Sequence, residues 1–435
     1  VYGSRSGEGE EKSSVIRHTT SEPATGWAVS VPAVPNFELG GRAAVCGVGQ
    51  SAYGRRLGRS ALDLGADAVA AALDDAGLGP GDLDGMLVSC GSPIGADADV
   101  LAQSLGLDLR FYSQTWAHGR FTASCLQHAA MAVNAGLADV VACLASVSFS
   151  GVTIPGKAPR KARMGGGGDR EGAREGGGGH GEDPVFGMTS PGAGAALVAQ
   201  RYFQRFGATS AQLAEVAVAF RRHAAKNPAA IMREPLEVGD HQASRFVCEP
   251  LRLFDYCLIN DGAACVLVTT AERARDLRKP PVTLAGMQPL PAGRQEFIWS
   301  WPGFGLAQQD IAPWSCGPRE EELYRQAGVE RSDIDAFFTY DAFSIVVWLA
   351  LERWGFCAPG EAPGFASGGR IGPGGELPVN TNGGLLSEAH VMGWNHQVEI
   401  VRQLRGECGD RQIPDAEVIQ WGNVYGDSIV YRAVR

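Results

Sequence analysis

From Ala43 onward, short apolar runs alternate with stretches of helical periodicity, and this alternation limits the chain to an α/β layer architecture. AAVCGVGQ, GMLVSCG, ADVVACLASVS and GAACVLVTT read as strands buried on both faces. Between them, residues 60–76 carry Leu62, Ala66, Val69 and Leu73 at helical spacing, with Gly77 where a helix would be capped. A second helix is expected around 126–135, stopped by Gly136, and a longer helical section over 191–226. The theme then repeats. PVTLAGMQ reads as a strand, 319–327 as a helix, AFFTYD as a strand and 344–354 as a helix. A helix over 396–405 and the strands EVIQWG and SIVYRAV close the chain. The two halves share a layout without an obvious repeat of sequence.

These signals divide the 435 residues into a tail (1–38), a first half (39–275) and a second half (276–435). The tail is rich in Ser, Glu, Gly and Pro, has no periodicity and is expected to be disordered. It opens on Val, which suggests a mis-set gene start or a trimmed chain, and it shows no apolar leader segment. Within the first half, 157–183 contains two runs of four glycines and reads as a flexible insertion. A dinucleotide-binding reading of these glycines fails, because no strand feeds them and no helix start follows at the right place. The same insertion holds the densest basic cluster, Lys157, Arg160, Lys161 and Arg163. A second insertion, FIWSWPGFGLAQQDIAPW, carries Trp299, Trp301 and Trp314. These tryptophans suit the lining of a large apolar pocket or the packing of a dimer.

The formal charge of −10, with no basic tail, argues against nucleic acid as a partner. No apolar run reaches the roughly 18 residues of a membrane-spanning helix. The ten cysteines, among them Cys46, Cys143, Cys257 and Cys265, are scattered in apolar segments without a CxxC pair. This pattern reads as reduced thiols in a cytoplasmic protein and offers no zinc-ligand spacing.

Four segments, in order, carry a family resemblance. They are GVGQSAYG with LDDAGLGPGDLDGMLVS; AAMAVNAGLADVVACLAS; RRHAAKNPAA with LRLFDYCLINDGAACVLVTT; and TYDAFS followed by the block from ERWGFCAPG through NTNGGLLSEAHVMGWNHQ. Together they resemble the thiolase superfamily, in its sterol-carrier and lipid-transfer thiolase-like branch, over about 43–435. The resemblance implies a five-layered αβαβα thiolase fold, a tight homodimer and a site where loops of both halves meet. It also implies a CoA thioester as substrate and no cofactor bound by the chain. The basic cluster of the Gly-rich insertion then reads either as a solvated loop or as a flap near the CoA phosphates.

Where thiolases carry the nucleophilic cysteine, 17 residues before the glycine that stops the helix, this chain has Gly119. The nearest thiol, Cys125, lies nearly two turns further on, away from the positive helix end that would lower its pKa. It is therefore a poor candidate nucleophile. The second catalytic cysteine of thiolases is also missing, since the segment IQWGNVYGD has none. Branches lacking the cysteine include steroid side-chain-cleaving aldolases, which the C-terminal block also resembles.

His390 matches the family's GGxxxxxH histidine through Gly383 and Gly384, although Val391 replaces the usual proline. Tyr340 and Asp341 occupy the loop at the end of a strand where the aldolase-like relatives also carry a tyrosine. Tyr340 and His390 are the expected catalytic pair. Gly119, His118, Asp341, Asn382 and Gly422 are further candidates for holding the oxyanion or the substrate. His396 and His128 read as packing or surface residues.

The function expected is a carbon–carbon lyase, a retro-aldolase on a β-hydroxyacyl-CoA with a steroid or other bulky apolar group. Tyr340 would take the β-hydroxyl proton, and His390 with backbone N–H groups near Gly119 would stabilise the enolate oxygen. Acyl transfer through Cys125 and a non-catalytic acyl-CoA or lipid-binding role are the alternatives. The resemblance also implies a small OB-fold partner with a zinc ribbon, to which any zinc would belong.

Overall fold

The computed structural model describes residues 39–434 except 93, 116–121, 150–190 and 291–315. The tail, both insertions with their basic cluster and tryptophans, His118 and Gly119 lie outside the described residues. The first half contains β1 (Ala43–Gln50), α1 (Ala61–Ala76), β2 (Gly85–Ser89), α2 (Ala98–Leu105), β3 (Phe111–Thr115), α3 (Thr122–Asn134) and β4 (Val141–Ser148). It continues with α4 (Pro191–Phe206), α5 (Ser210–Ala225), α6 (Val238–Ala243), β5 (Phe246–Cys248), β6 (Leu251–Arg252), β7 (Asp261–Thr270) and α7 (Ala271–Ala274). Then follow β8 (Val282–Gln288), α8 (Pro318–Ala327), β9 (Ala336–Phe338), α9 (Ser344–Arg353), α10 (Ala362–Phe365), α11 (Gly384–Ser387), α12 (Trp394–Leu404), β10 (Val418–Gly422) and β11 (Ser428–Ala433). The expected cap is present: Ser60 opens α1 by accepting from the Asp63 N–H, and Gly77 closes it in the left-handed conformation.

Nine strands form one mixed sheet in the order β3-β2-β4-β7-β1-β8-β11-β10-β9. The two halves of this sheet meet at β1 and β8 through only two residue pairs, Ala44 with Thr283 and Val45 with Val282. Strand alternation then sorts the side chains into layers. In the first half, Cys46, Met86, Leu144 and Leu267 pack with α1 and α2, while Val45, Leu87, Cys143 and Val266 face a central core. In the second half, Ala336 and Phe338 face that same central core, and Phe337 faces outward onto α8 and α9. The central core also holds Ala129 and Val133 of α3 and Val398 and Val401 of α12. The order of layers is therefore helix, sheet, helix, sheet, helix, the thiolase fold.

One expected strand is shorter in the structure. β9 stops at Phe338, so Thr339, Tyr340 and Asp341 lie beyond it. There the Asn380 side chain takes over from the backbone ladder. Its Oδ1 accepts from Thr339 N–H at 2.9 Å and its Nδ2 donates to the Thr339 carbonyl at 3.1 Å. This substitution lets the chain leave the sheet without orphaning buried backbone groups.

Candidate active site

Two residues past β9, the Tyr340 hydroxyl lies 2.9 Å from Nε2 of His390, in the loop after α11. His390 is fully buried and Tyr340 is 7% exposed. Sequence reasoning gave these residues separate roles; the structure makes them one hydrogen-bonded pair. On its other side, Nδ1 of His390 is 3.6 Å from Sγ of Cys257, and the His390 backbone N–H donates to Oδ1 of Asn260 at 2.7 Å. Burial pushes the His390 pKa down to about 4, and the neighbouring His396 adds to the effect. The Leu258 carbonyl beside the ring offsets it in part. His390 is thus a neutral imidazole at neutral pH.

The paired glycines before His390 have a steric reason. Gly383 and Gly384 both adopt positive φ, +102° and +68°. A Cβ on Gly384 would fall 2.2 Å from Oδ2 of Asp341. Without it, Asp341 accepts from the N–H groups of Leu385 at 3.0 Å and Leu386 at 3.3 Å. Asp341 also accepts from Nε2 of His396 at 2.9 Å, while Nδ1 of His396 meets Oδ1 of Asn382 at 3.1 Å. Asp341 and Asn382 therefore brace the His390 loop through His396. His396 is not a bystander: it sits in the first turn of α12, fully buried between these two side chains.

Glu388 is a further residue that sequence reasoning missed. It accepts from Nδ2 of Asn227 at 2.8 Å, from Nδ2 of Asn395 at 2.7 Å and from Nδ2 of Asn382. Burial pushes its pKa up to about 8, with Glu399 adding and the three amides partly offsetting. The signal available was the density of Asn, Glu and His within segments that are otherwise apolar, such as LLSEAHVMGWNH.

The other sequence candidates fall elsewhere. Cys125 is buried in α3, and its thiol meets the hydroxyls of Ser89 at 3.3 Å and Thr115 at 3.8 Å. Burial raises its pKa, and those two hydrogen bonds only partly offset this. Gly422 ends β10, and a Cβ there would meet Phe337 at 2.6 Å and Trp354 at 2.7 Å, a packing reason for glycine. The start of α3, three residues after Gly119, is tied to the His390 loop: Thr122 Oγ1 donates to the Met392 carbonyl at 2.8 Å.

Comparison with known proteins decides the family. Residues 309–427 match the "Thiolase C-terminal domain-like" family model. The chain is 37% identical over 369 residues to the 17-hydroxy-3-oxo-4-pregnene-20-carboxyl-CoA lyase of Mycobacterium tuberculosis, covering 85% of this chain and 92% of that one. It is also 37% identical over 378 residues to a steroid side-chain-cleaving aldolase of Thermomonospora curvata, covering 85% and 91%. This chain belongs to the thiolase-like aldolases. A solved member, an Ltp2-ChsH2(DUF35) aldolase, superimposes with a TM-score of 0.78 at 33% identity, covering 91% of this chain and 99% of its own. The matched C-terminal region of this thiolase-like aldolase contains Tyr340, Asp341, Asn382, Glu388, His390 and His396.

Proposed function

We propose that this chain, a carbon–carbon lyase by family, cleaves the Cα–Cβ bond of a β-hydroxyacyl-CoA carrying a steroid or another bulky apolar group on Cβ. The observation that carries this reading is the 2.9 Å contact between Tyr340 Oη and His390 Nε2. The Tyr340 O–H donates to the neutral imidazole. When the β-hydroxyl proton moves to the Tyr340 oxygen, the Tyr340 proton moves to Nε2, so no free phenolate has to form. The electron pair of the former O–H bond becomes the carbonyl of the released product. The Cα–Cβ pair passes to the thioester as an enolate. The imidazolium of His390 stabilises the enolate oxygen. The proton then returns through the same pair to Cα, giving the shorter acyl-CoA.

Acyl transfer through Cys125 fits less well, because that thiol is buried, bonded to two hydroxyls and held above its ordinary pKa. A lipid-binding role without turnover leaves the buried Tyr340–His390 pair without a purpose. The expected small OB-fold, zinc-ribbon partner is supported by the name of the structural neighbour, which pairs two proteins. Any zinc belongs to that partner in this reading. The homodimer is supported by β3, an edge strand carrying Tyr112 at 60% exposure, whose open side suits strand pairing with a second copy. Among the described residues no helix is long and apolar enough to cross a membrane, and a cytoplasmic setting agrees with the free thiols.

The test is to supply a β-hydroxyacyl-CoA with a bulky apolar β-substituent, with and without the zinc-ribbon partner. The carbonyl product and the shortened acyl-CoA should appear in equal amounts. Transfer of an acyl group to free CoA without a carbonyl product would overturn the reading.

A further inference from the structure

Two contacts tie His390 to one short strap from the first half of the chain, the residues just before β7. Asn260 Oδ1 accepts the His390 backbone N–H at 2.7 Å, and Cys257 Sγ lies 3.6 Å from Nδ1. The strap is itself stitched to both catalytic loops. The Cys257 N–H donates to the Ala342 carbonyl at 3.0 Å, next to the Tyr340–Asp341 pair, and the Leu258 N–H donates to the Leu385 carbonyl at 2.9 Å, in α11. Asn260 is fully buried, and its Nδ2 donates to the Asp261 carbonyl at 3.3 Å, which orients its Oδ1 toward His390.

A neutral imidazole carries one ring proton, and the partner of one nitrogen decides which nitrogen holds it. Nε2 is directed at the Tyr340 hydroxyl and Nδ1 at the Cys257 sulfur, which can accept as well as donate. With the ring proton on Nδ1 and the Cys257 sulfur as its acceptor, Nε2 offers its lone pair to Tyr340, the arrangement the proton relay needs. In the opposite tautomer, Nε2–H would face the Tyr340 oxygen as a donor.

We propose that Asn260 is a positioning residue: by holding the His390 backbone N–H it seats the ring against the Cys257–Leu258 strap and fixes the tautomer with its proton on Nδ1. This rests on the Tyr340–His390 reading above and deepens it. The first half of the chain thereby sets the protonation geometry of a pair contributed wholly by the second half.

The test uses the full chain, with the partner present if turnover requires it, and ¹⁵N-labelled histidine, the His390 signals being assigned by their loss in His390→Gln. In the wild type, Nδ1 should carry the bonded proton and Nε2 should not; the reverse pattern overturns the proposal whatever the variants do. Asn260→Leu, similar in size but without an acceptor, should lower kcat by about 10- to 100-fold, the cost of misplacing a catalytic group. KM should stay within about threefold, and the single-tautomer signature should be lost. Asn260→Asp keeps the acceptor and adds a carboxylate. It should recover part of kcat and move the acid limb of the pH profile upward, because a nearby negative charge favours the imidazolium. Wild-type kcat in Asn260→Leu, or an Asn260→Asp variant as impaired as Asn260→Leu with an unmoved acid limb, overturns the proposal. Tyr340→Phe in the same assay separates the two claims. If it retains full activity, the underlying reading fails; if it is inactive while Asn260→Leu is fully active, only the positioning role fails.

Discussion

Asp341 and His396 meet across 2.9 Å with neither side chain exposed to solvent. Asp341 also receives two backbone N–H groups of α11. Its carboxylate therefore braces the loop that carries His390. Removing it leaves several buried donors without an acceptor, at about 1–3 kcal/mol each. Asp341→Ala should lower the unfolding free energy by about 3–5 kcal/mol, read from urea melts. Tyr340→Phe, which deletes a single hydroxyl, should cost under about 1.5 kcal/mol.

Gly422 separates packing from catalysis. Its missing Cβ leaves room for Phe337 and Trp354, both in the outer core of the second half. Gly422→Ala should overpack that core and destabilise by about 1–3 kcal/mol, with kcat of the folded fraction close to wild type. A kcat loss of a hundredfold in a protein of unchanged stability would instead give Gly422 a part in the chemistry.

The pH dependence has two opposed parts. His390 falls from the ordinary 6.5 to about 4 in the fold. The unfolded chain therefore takes up its proton first, and stability is lost as pH drops from about 6.5 toward 4. Activity should show no histidine limb near 6.5 and should fall only as pH approaches about 4. Glu388 rises from 4.5 to about 8, so the fold holds a proton that the unfolded chain gives up. Its contribution is complete below 4.5 and is lost as pH rises toward 8. Glu388→Gln should flatten stability across that window, measured by chemical denaturation at a series of pH values. An unchanged slope would contradict the assignment.

The layers were legible in the sequence for a physical reason. Strands such as GAACVLVTT are buried on both faces and so read as apolar runs, and the caps of α1 are local in the chain. His390 and Tyr340 stood out because family motifs mark them. The bracing network did not, because its partners are far apart in sequence. Asn227 reaches Glu388 across 161 residues and Asn260 reaches His390 across 130. A lone Asn or His inside an apolar helix or turn reads as packing until its partners are known, and that is how His396 was misread. Cys257 reads in the sequence as one more buried apolar thiol, whereas in the fold it is partly exposed and lies beside the His390 imidazole.

Cys125 offers a test of the thiol-dependent alternative. With its thiol buried and bonded to Ser89 and Thr115, Cys125→Ala should retain turnover within about threefold, the loss of two weak hydrogen bonds being worth under about 1 kcal/mol. Intact-mass analysis during turnover should find no acyl adduct. A covalent acyl group on Cys125, or abolished activity in a folded Cys125→Ala protein, would favour acyl transfer.

The central claim is that the Tyr340–His390 pair carries the proton whose departure breaks the carbon–carbon bond. Single-turnover cleavage of a β-hydroxyacyl-CoA by Tyr340→Phe measures it most directly. The account predicts a rate lower by about 10²- to 10⁴-fold, the usual contribution of a positioned acid–base group, with substrate binding preserved. Cleavage by Tyr340→Phe at the wild-type rate would contradict it.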